Sequence, residues 1–235
     1  MKVVGIVGRL NQNMDGSNEI EVLNSYNRAF SRYDDVITIG IMPPKNVNYY
    51  ETSMEEEFSL NNEELKKLDK VLDLCDGFLI QGGCEWCSHD EYVINYAIKN
   101  DKPLLGICLG MQALCVMLSR NTEFDNLVRI ENLENGNYLN HRQIGVDYVH
   151  NVLLTENGLL HSIIGKDSIM VNSRHSFCVS DFGCLNIEAV SSDGIIEAVS
   201  FPSKKFILGI QWHPESLVDK DENSQKIFDE FINRM

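Results

Sequence analysis

The segment Pro103-Leu104-Leu105-Gly106-Ile107-Cys108-Leu109-Gly110-Met111-Gln112 constrains this chain more than any other. It reads as a short buried strand, one cysteine, and then an apolar helix. Around the cysteine the spacing is Gly106-x-Cys108-x-Gly110, the thiol counterpart of the G-x-S-x-G nucleophile elbow. A sharp strand-to-helix turn strains its central residue, and a Cβ on either neighbouring glycine position would clash. Glycine at both flanks removes the clash and leaves the sulfur at the carboxyl end of the sheet. The unpaired N–H groups and dipole of the helix opening near Leu109 then favour the thiolate. A cysteine in an apolar strand is ordinarily a buried structural residue. The two glycines, and the partners described below, point to a nucleophile instead.

The flanking sequence predicts what surrounds this turn. Lys2–Val7 is a β-branched run suited to a first parallel strand, followed by a polar loop over 11–18 and a helix over 19–31 with Ile20, Leu23, Asn27 and Phe30 inward. Val36–Ile41 reads as a second strand, and 45–58 as an irregular segment bearing Tyr49 and Tyr50. A helix over 62–74, a buried strand at Gly77–Ile80 running into Gln81-Gly82-Gly83, and a helix opened by Ser88-x-x-Glu91 follow. Residues 121–149 are polar and carry no clear pattern. Beyond them come short strands at 152–154, 169–171, 185–190 and 195–201, the last two joined as a hairpin through Asp193-Gly194. A strand over 206–212 ends at His213-Pro214-Glu215, and an amphipathic helix over 221–231 closes the sequence. Strands alternating with helices predict a mostly parallel, doubly wound α/β sheet with an added antiparallel hairpin region, treated as a single domain over 1–235. Its site is expected at the carboxyl ends of the strands, where Gly82-Gly83 and Cys108 both fall.

Charge limits the partners. With 20 basic against 35 acidic residues, the formal net charge is −15. That argues against nucleic-acid backbones and anionic membrane surfaces. Seven cysteines scattered through apolar segments do not form a disulfide framework. With no secretory leader pattern after Met1, the expected setting is cytoplasmic and reducing.

A cysteine nucleophile needs an imidazole to manage its proton, and the imidazole needs an acceptor that fixes its tautomer. Pro214 biases His213 toward an extended backbone, and residues two apart then project to one side, so Glu215 can reach His213. Gly82-Gly83 is either a plain tight turn or an oxyanion hole formed by the N–H groups of Gly83 and Leu109. Gln112, four residues after Cys108 on the same helix face, is the polar residue of an apolar helix and a candidate substrate contact. Cys84-x-x-Cys87-x-His89 looks like half a metal site, but the sequence has no second ligand pair to complete it. No metal and no cofactor is expected, and Trp86 is placed on the wall of the pocket.

Three blocks together resemble the class I glutamine amidotransferase-like superfamily: 76–83 (DGFLIQGG), 106–112 (GICLGMQ) and 209–215 (GIQWHPE). Within it, 5–9 (GIVGR), 171–175 (VNSRH) and 193–198 (DGIIEA) are similar to the gamma-glutamyl-gamma-aminobutyrate hydrolases. The resemblance implies a flavodoxin-like fold with Cys108 as nucleophile, His213 as base, Glu215 as its orienter, and Gly83 and Leu109 as oxyanion donors. It also implies substrate contacts from Ser173, Arg174 and His175. The turn departs from the pattern, with Gln81 where a proline is commoner. The implied activity is cysteine-dependent hydrolysis of a γ-glutamyl amide of a small molecule. The alternative is a glutaminase subunit that feeds ammonia to a synthase partner. A homodimer stays open.

Overall fold

The computed structural model describes residues 1–12, 18–43, 60–84, 88–119, 126–133 and 138–235. The first strand, β1 (Lys2–Val7), leads into β2 (Arg9–Gln12), which pairs antiparallel with β3 (Asn18–Glu21). The helix α1 (Asn24–Phe30) and β4 (Val36–Ile41) follow. The expected helix over 19–31 is therefore shorter than its pattern suggested. Its first residues are drawn into the β2–β3 ribbon, where Glu21 pairs with Arg9. Ile20 and Leu23, expected inward, are exposed, and so is Asn27, whereas Tyr26, Ala29 and Phe30 form the buried face.

Asn61 opens α2 (Asn62–Leu72) with a reciprocal cap: its Oδ1 accepts from the N–H of Glu63 and Glu64, and its own N–H donates to Glu64. The strand β5 (Gly77–Ile80), α3 (Ser88–Asn100), β6 (Leu104–Ile107) and α4 (Leu109–Leu118) then follow as anticipated. Structure within the unpatterned stretch comes from distant pairing. There β7 (Leu127–Arg129) meets β10 (Phe177–Val179) antiparallel, with β8 (His150–Leu154), α5 (Leu159–Ile164) and β9 (Ser168–Val171) between them. The anticipated hairpin joins β11 (Asn186–Ser191) to β12 (Ile196–Ser200), with Gly194 at φ +86°. The chain ends with β13 (Ile207–Ile210) and α6 (Glu222–Arg234), whose N-cap Asp221 accepts from the N–H of Ser224.

Nine strands form one sheet in the order β4-β1-β5-β6-β13-β12-β11-β8-β9. From β4 to β13 neighbouring strands run parallel; from β13 onward they alternate antiparallel. Helices cover both faces. Tyr26 and Phe30 of α1 with Phe228 and Phe231 of α6 pack on one side, and Leu68 and Leu72 of α2, Val93 and Ile94 of α3 and Leu114 of α4 on the other. This is the flavodoxin-like α/β layering, continued at one edge by the antiparallel strands. Three adjacent parallel strands, β5, β6 and β13, deliver Gly82, Cys108 and His213 to the same end of the sheet. No helix among the described residues is long and apolar enough to cross a membrane.

Candidate active site

Cys108 sits between β6 and α4 at φ +53° and ψ −102°, a conformation that a non-glycine residue adopts only under constraint. The constraint is visible on both sides: its N–H donates to the Ile210 carbonyl of β13, and its carbonyl accepts the N–H of Gln112. The flanking glycines make the turn fit. A Cβ on Gly106 would come within 2.8 Å of the Gly110 carbonyl, and one on Gly110 within 2.2 Å of the Ile80 carbonyl oxygen.

His213 Nδ1 lies 2.8 Å from Glu215 Oε1. That contact turns Nε2 away from Glu215, and the nearby Cys108 sulfur bears on the ring electrostatically. Burial by itself would push the imidazole down, but the Glu215 carboxylate and the Cys108 sulfur outweigh it and hold the ring up at about 10. The ring is therefore held as an imidazolium beside the Cys108 sulfur. Asn172 clamps the histidine's backbone from both sides: its Oδ1 accepts from His213 N at 2.7 Å, and its Nδ2 donates to His213 O at 2.8 Å.

The glycine turn lies over this pair. A Cβ on Gly82 would sit 3.0 Å from His213 Cε1, 3.4 Å from the Tyr26 hydroxyl and 3.5 Å from Cys108 Cβ. Gly82 donates its N–H to the Tyr26 hydroxyl at 2.9 Å. Burial first, and then the nearby Glu215 carboxylate, raise that phenol well above its ordinary value, so it stays protonated. Gln81, the departure from the usual proline, ties the turn to its neighbours. Its Nε2 donates to the carbonyls of Val7 and Glu21, and its Oε1 accepts the N–H of Leu23.

Arg9 closes the 5–9 block of the sequence, which by itself gives the arginine no role. It is buried, donates from Nη2 to the Gln81 carbonyl at 2.6 Å and pairs with buried Asp90. Its Cδ lies 3.0 Å from where a Gly83 Cβ would stand, which puts a fixed guanidinium against the turn.

The remaining candidates are placed as follows. Gln112 is buried, and its Nε2 donates to Gln211 Oε1 at 3.0 Å and to the Phe177 carbonyl at 3.3 Å, committing both amide hydrogens within the protein. Ser173 donates to the His141 carbonyl at 2.6 Å, and His175 Nε2 lies 3.5 Å from Glu197. Arg174 forms an antiparallel backbone bridge with Arg142. Within the half metal motif, Cys84 is exposed while His89 is buried with Nε2 at 3.3 Å from the Gly8 carbonyl. Trp86, Cys87, Tyr49 and Tyr50 lie outside the described residues.

The Peptidase C26 family profile matches residues 88–215, a span that holds the elbow, the Asn172 clamp and the His213–Glu215 pair. The chain belongs to the Peptidase C26 family. Membership places it in the class I glutamine amidotransferase-like superfamily. The gamma-glutamyl-gamma-aminobutyrate hydrolase PuuD of Escherichia coli is 33% identical over 149 residues, which cover 60% of this chain and 56% of PuuD. The match thus spans little more than half the length of that relative. Among solved structures, the glutaminase domain of Trypanosoma brucei CTPS superposes with a TM-score of 0.65 at 19% identity, covering 100% of this chain and 94% of that one. A glutamine amidotransferase from Thermotoga maritima gives 0.57 at 14% identity, covering 99% and 95%. These likenesses show the same fold.

The charged histidine gives a test by titration. The His213 ring is expected to stay protonated from about pH 6 to about pH 8, where an ordinary histidine loses its proton near 6.5. Nitrogen-15 NMR of the ring, assigned by difference against His213→Asn, should show no midpoint in that range. Glu215→Gln should bring the midpoint down and lower turnover less than His213→Asn does, because the carboxylate acts only through the imidazole. A wild-type midpoint near 6.5 would mean that Glu215 and Cys108 do not hold the charge.

Proposed function

We propose that this chain hydrolyses a γ-glutamyl amide through a γ-glutamyl thioester on Cys108. The observation that carries the reading is the strained Cys108 at the start of α4 beside an imidazolium fixed by Glu215. Cys108 sulfur attacks the γ-carbonyl carbon, and the N–H groups of Gly83 and Leu109 receive the developing oxyanion. His213 gives its proton to the departing amine and becomes neutral. It then takes a proton from water as that water attacks the thioester, and glutamate leaves with the thiolate restored. The buried Arg9 guanidinium adds positive potential beside the Gly83 turn.

PuuD's name supports a γ-glutamyl amide with an amine larger than ammonia as leaving group. A second reading draws on the superposed glutaminase domain: this chain would cleave glutamine and pass ammonia to a synthase partner. Both share the thioester, so only the leaving-group side separates them. Contacts beyond the scissile bond stabilise the transition state only for substrates long enough to reach them.

The test is glutamate release by the purified chain alone from a panel of γ-glutamyl amides at equal concentration, with Cys108→Ser as blank. γ-Glutamyl derivatives of small amines or amino acids are expected to be cleaved much faster than glutamine. If glutamine is the best substrate, or nothing is cleaved until a second protein is added, the glutaminase reading replaces this one.

A further inference from the structure

A second cluster of buried titratable groups lies apart from the nucleophile and has no part in the chemistry above. It draws on four separated segments: His141 before β8, His150 at the start of β8, His175 between β9 and β10, and Glu197 on β12. All four are buried, and one potential ligand atom from each lies within 4.8 Å of the others. One carboxylate oxygen is the meeting point. Glu197 Oε1 lies 3.2 Å from His141 Nδ1, 3.5 Å from His150 Nε2 and 3.5 Å from His175 Nε2.

The outer nitrogens fix which inner ones carry lone pairs. His141 Nε2 lies 2.9 Å from Asp193 Oδ2, His175 Nδ1 2.8 Å from the Phe177 carbonyl, and His150 Nδ1 3.3 Å from the Asn151 carbonyl. Carbonyls and carboxylates only accept, so each outer nitrogen bears the hydrogen and each neutral ring turns a lone pair inward. With the rings neutral, three lone pairs face a carboxylate. Accordingly His150 Nε2, His175 Nε2 and both Glu197 oxygens are buried with no hydrogen-bond partner among the described residues. Such groups are costly to bury unless something positive sits among them.

We propose that this cluster is a zinc site, with His141 Nδ1, His150 Nε2, His175 Nε2 and Glu197 Oε1 as ligands. Ligand bonds of about 2.0–2.1 Å give a tetrahedron with edges of roughly 3.3 Å. The three histidine-to-carboxylate separations of 3.2, 3.5 and 3.5 Å are edges of that length. Three imidazoles and one carboxylate suit zinc rather than calcium or magnesium, which prefer oxygen. The outer hydrogen bonds are those that orient metal-bound histidines, the Asp193–His141 contact above all. A divalent ion also balances the charges of Glu197 and Asp193. Beside the cluster lies a cavity of about 520 Å³ with His141 and His175 in its wall.

Four protein ligands leave no open position, so the ion is structural. It would pin β8, β12 and the 172–177 segment to one point. Asn172, three residues before His175, is the residue that holds the His213 backbone. The ion therefore steadies the segment that positions the base, without touching substrate. The sequence alone assigns no metal because the ligands come from four unconnected positions.

The experiment is elemental analysis of the full chain, produced with zinc in the medium and purified without metal-affinity resin. About one zinc per chain is expected. Removing it with dipicolinate should lower the melting temperature, and one equivalent of zinc should restore it. Cobalt in its place should give the visible absorption of a four-coordinate ion. His175→Ala and Glu197→Gln should lose the metal, while Cys108→Ser should keep it; if the first two do not fold, the wild-type zinc content, melting and cobalt spectrum decide. Absence of zinc from the wild type, with no change in melting on adding zinc, would overturn the proposal and leave a proton-sharing histidine–carboxylate cluster. Zinc kept by His175→Ala but lost by Cys108→Ser would place the metal at the thiol and overturn it equally. None of these readouts depends on which substrate Cys108 acts upon.

Discussion

Cys108→Ser is expected to fold like the wild type and to lose turnover by a factor on the order of 10³ or more. Serine pays the same backbone strain at φ +53° and fits the same buried site, so the structural change is small. The chemical change is large, since an alcohol is far less acidic than a thiol and a much weaker nucleophile at neutral pH. The other thiols sharpen the test. Burial pushes Cys75 and Cys178 up to about 11, and it pushes Cys115 up further still. Cys84 and Cys184 are exposed but have no histidine partner of this kind among the described residues. Iodoacetamide at neutral pH, followed by peptide mapping, should therefore mark Cys108 first despite its burial. Turnover within tenfold of wild type in Cys108→Ser, or rapid labelling of Cys84 with Cys108 inert, would remove the nucleophile from this position.

What was legible in the sequence was what local backbone rules encode. Gly106 and Gly110 announce a turn too tight for a Cβ, and Pro214 announces an extended His213 within reach of Glu215. Both follow from residues a few positions apart. The misreadings have the opposite character. Ile20 fitted a helical stripe, yet its side chain lies over Gly8, where a Cβ would come within 2.6 Å of it, because Glu21 pairs back to Arg9. A ribbon made by residues on either side of a loop leaves no helical or alternating signature. The contacts of Arg9 and of the histidine cluster are hidden for the same reason. Positions 141, 150, 175 and 197 share no spacing, and only the antiparallel order of β12, β11, β8 and β9 brings them together. The 193–198 block drew notice as a resemblance, but nothing in it says that Glu197 faces three imidazoles.

Gly110→Ala is expected to be among the most destabilising single substitutions in the chain. The new Cβ would stand 2.2 Å from the Ile80 carbonyl oxygen, far inside contact distance. Neither side can give way cheaply. Ile80 lies on β5, which is hydrogen-bonded to β1 on one side and β6 on the other. Gly110 lies in the first turn of α4, whose start is fixed by Cys108 N–H donating to Ile210 and by the apolar packing of Met111, Ala113 and Leu114. Relief would require α4 to lift from the sheet and carry Cys108 away from His213. Overpacking against backbone in a dense core costs about 3 kcal/mol or more. For a chain of this length that corresponds to a fall in melting temperature of roughly 6–12 °C. Gly40→Ala is the matched control: on β4 its Cβ would meet only Val22 Cγ2 at 3.6 Å, an ordinary contact, and melting should hardly change. Thermal melts of both variants beside the wild type make the comparison. Gly110→Ala melting within about 2 °C of the wild type would show that α4 can shift without cost, and that the elbow is not held by contact between Gly110 and the β5 backbone.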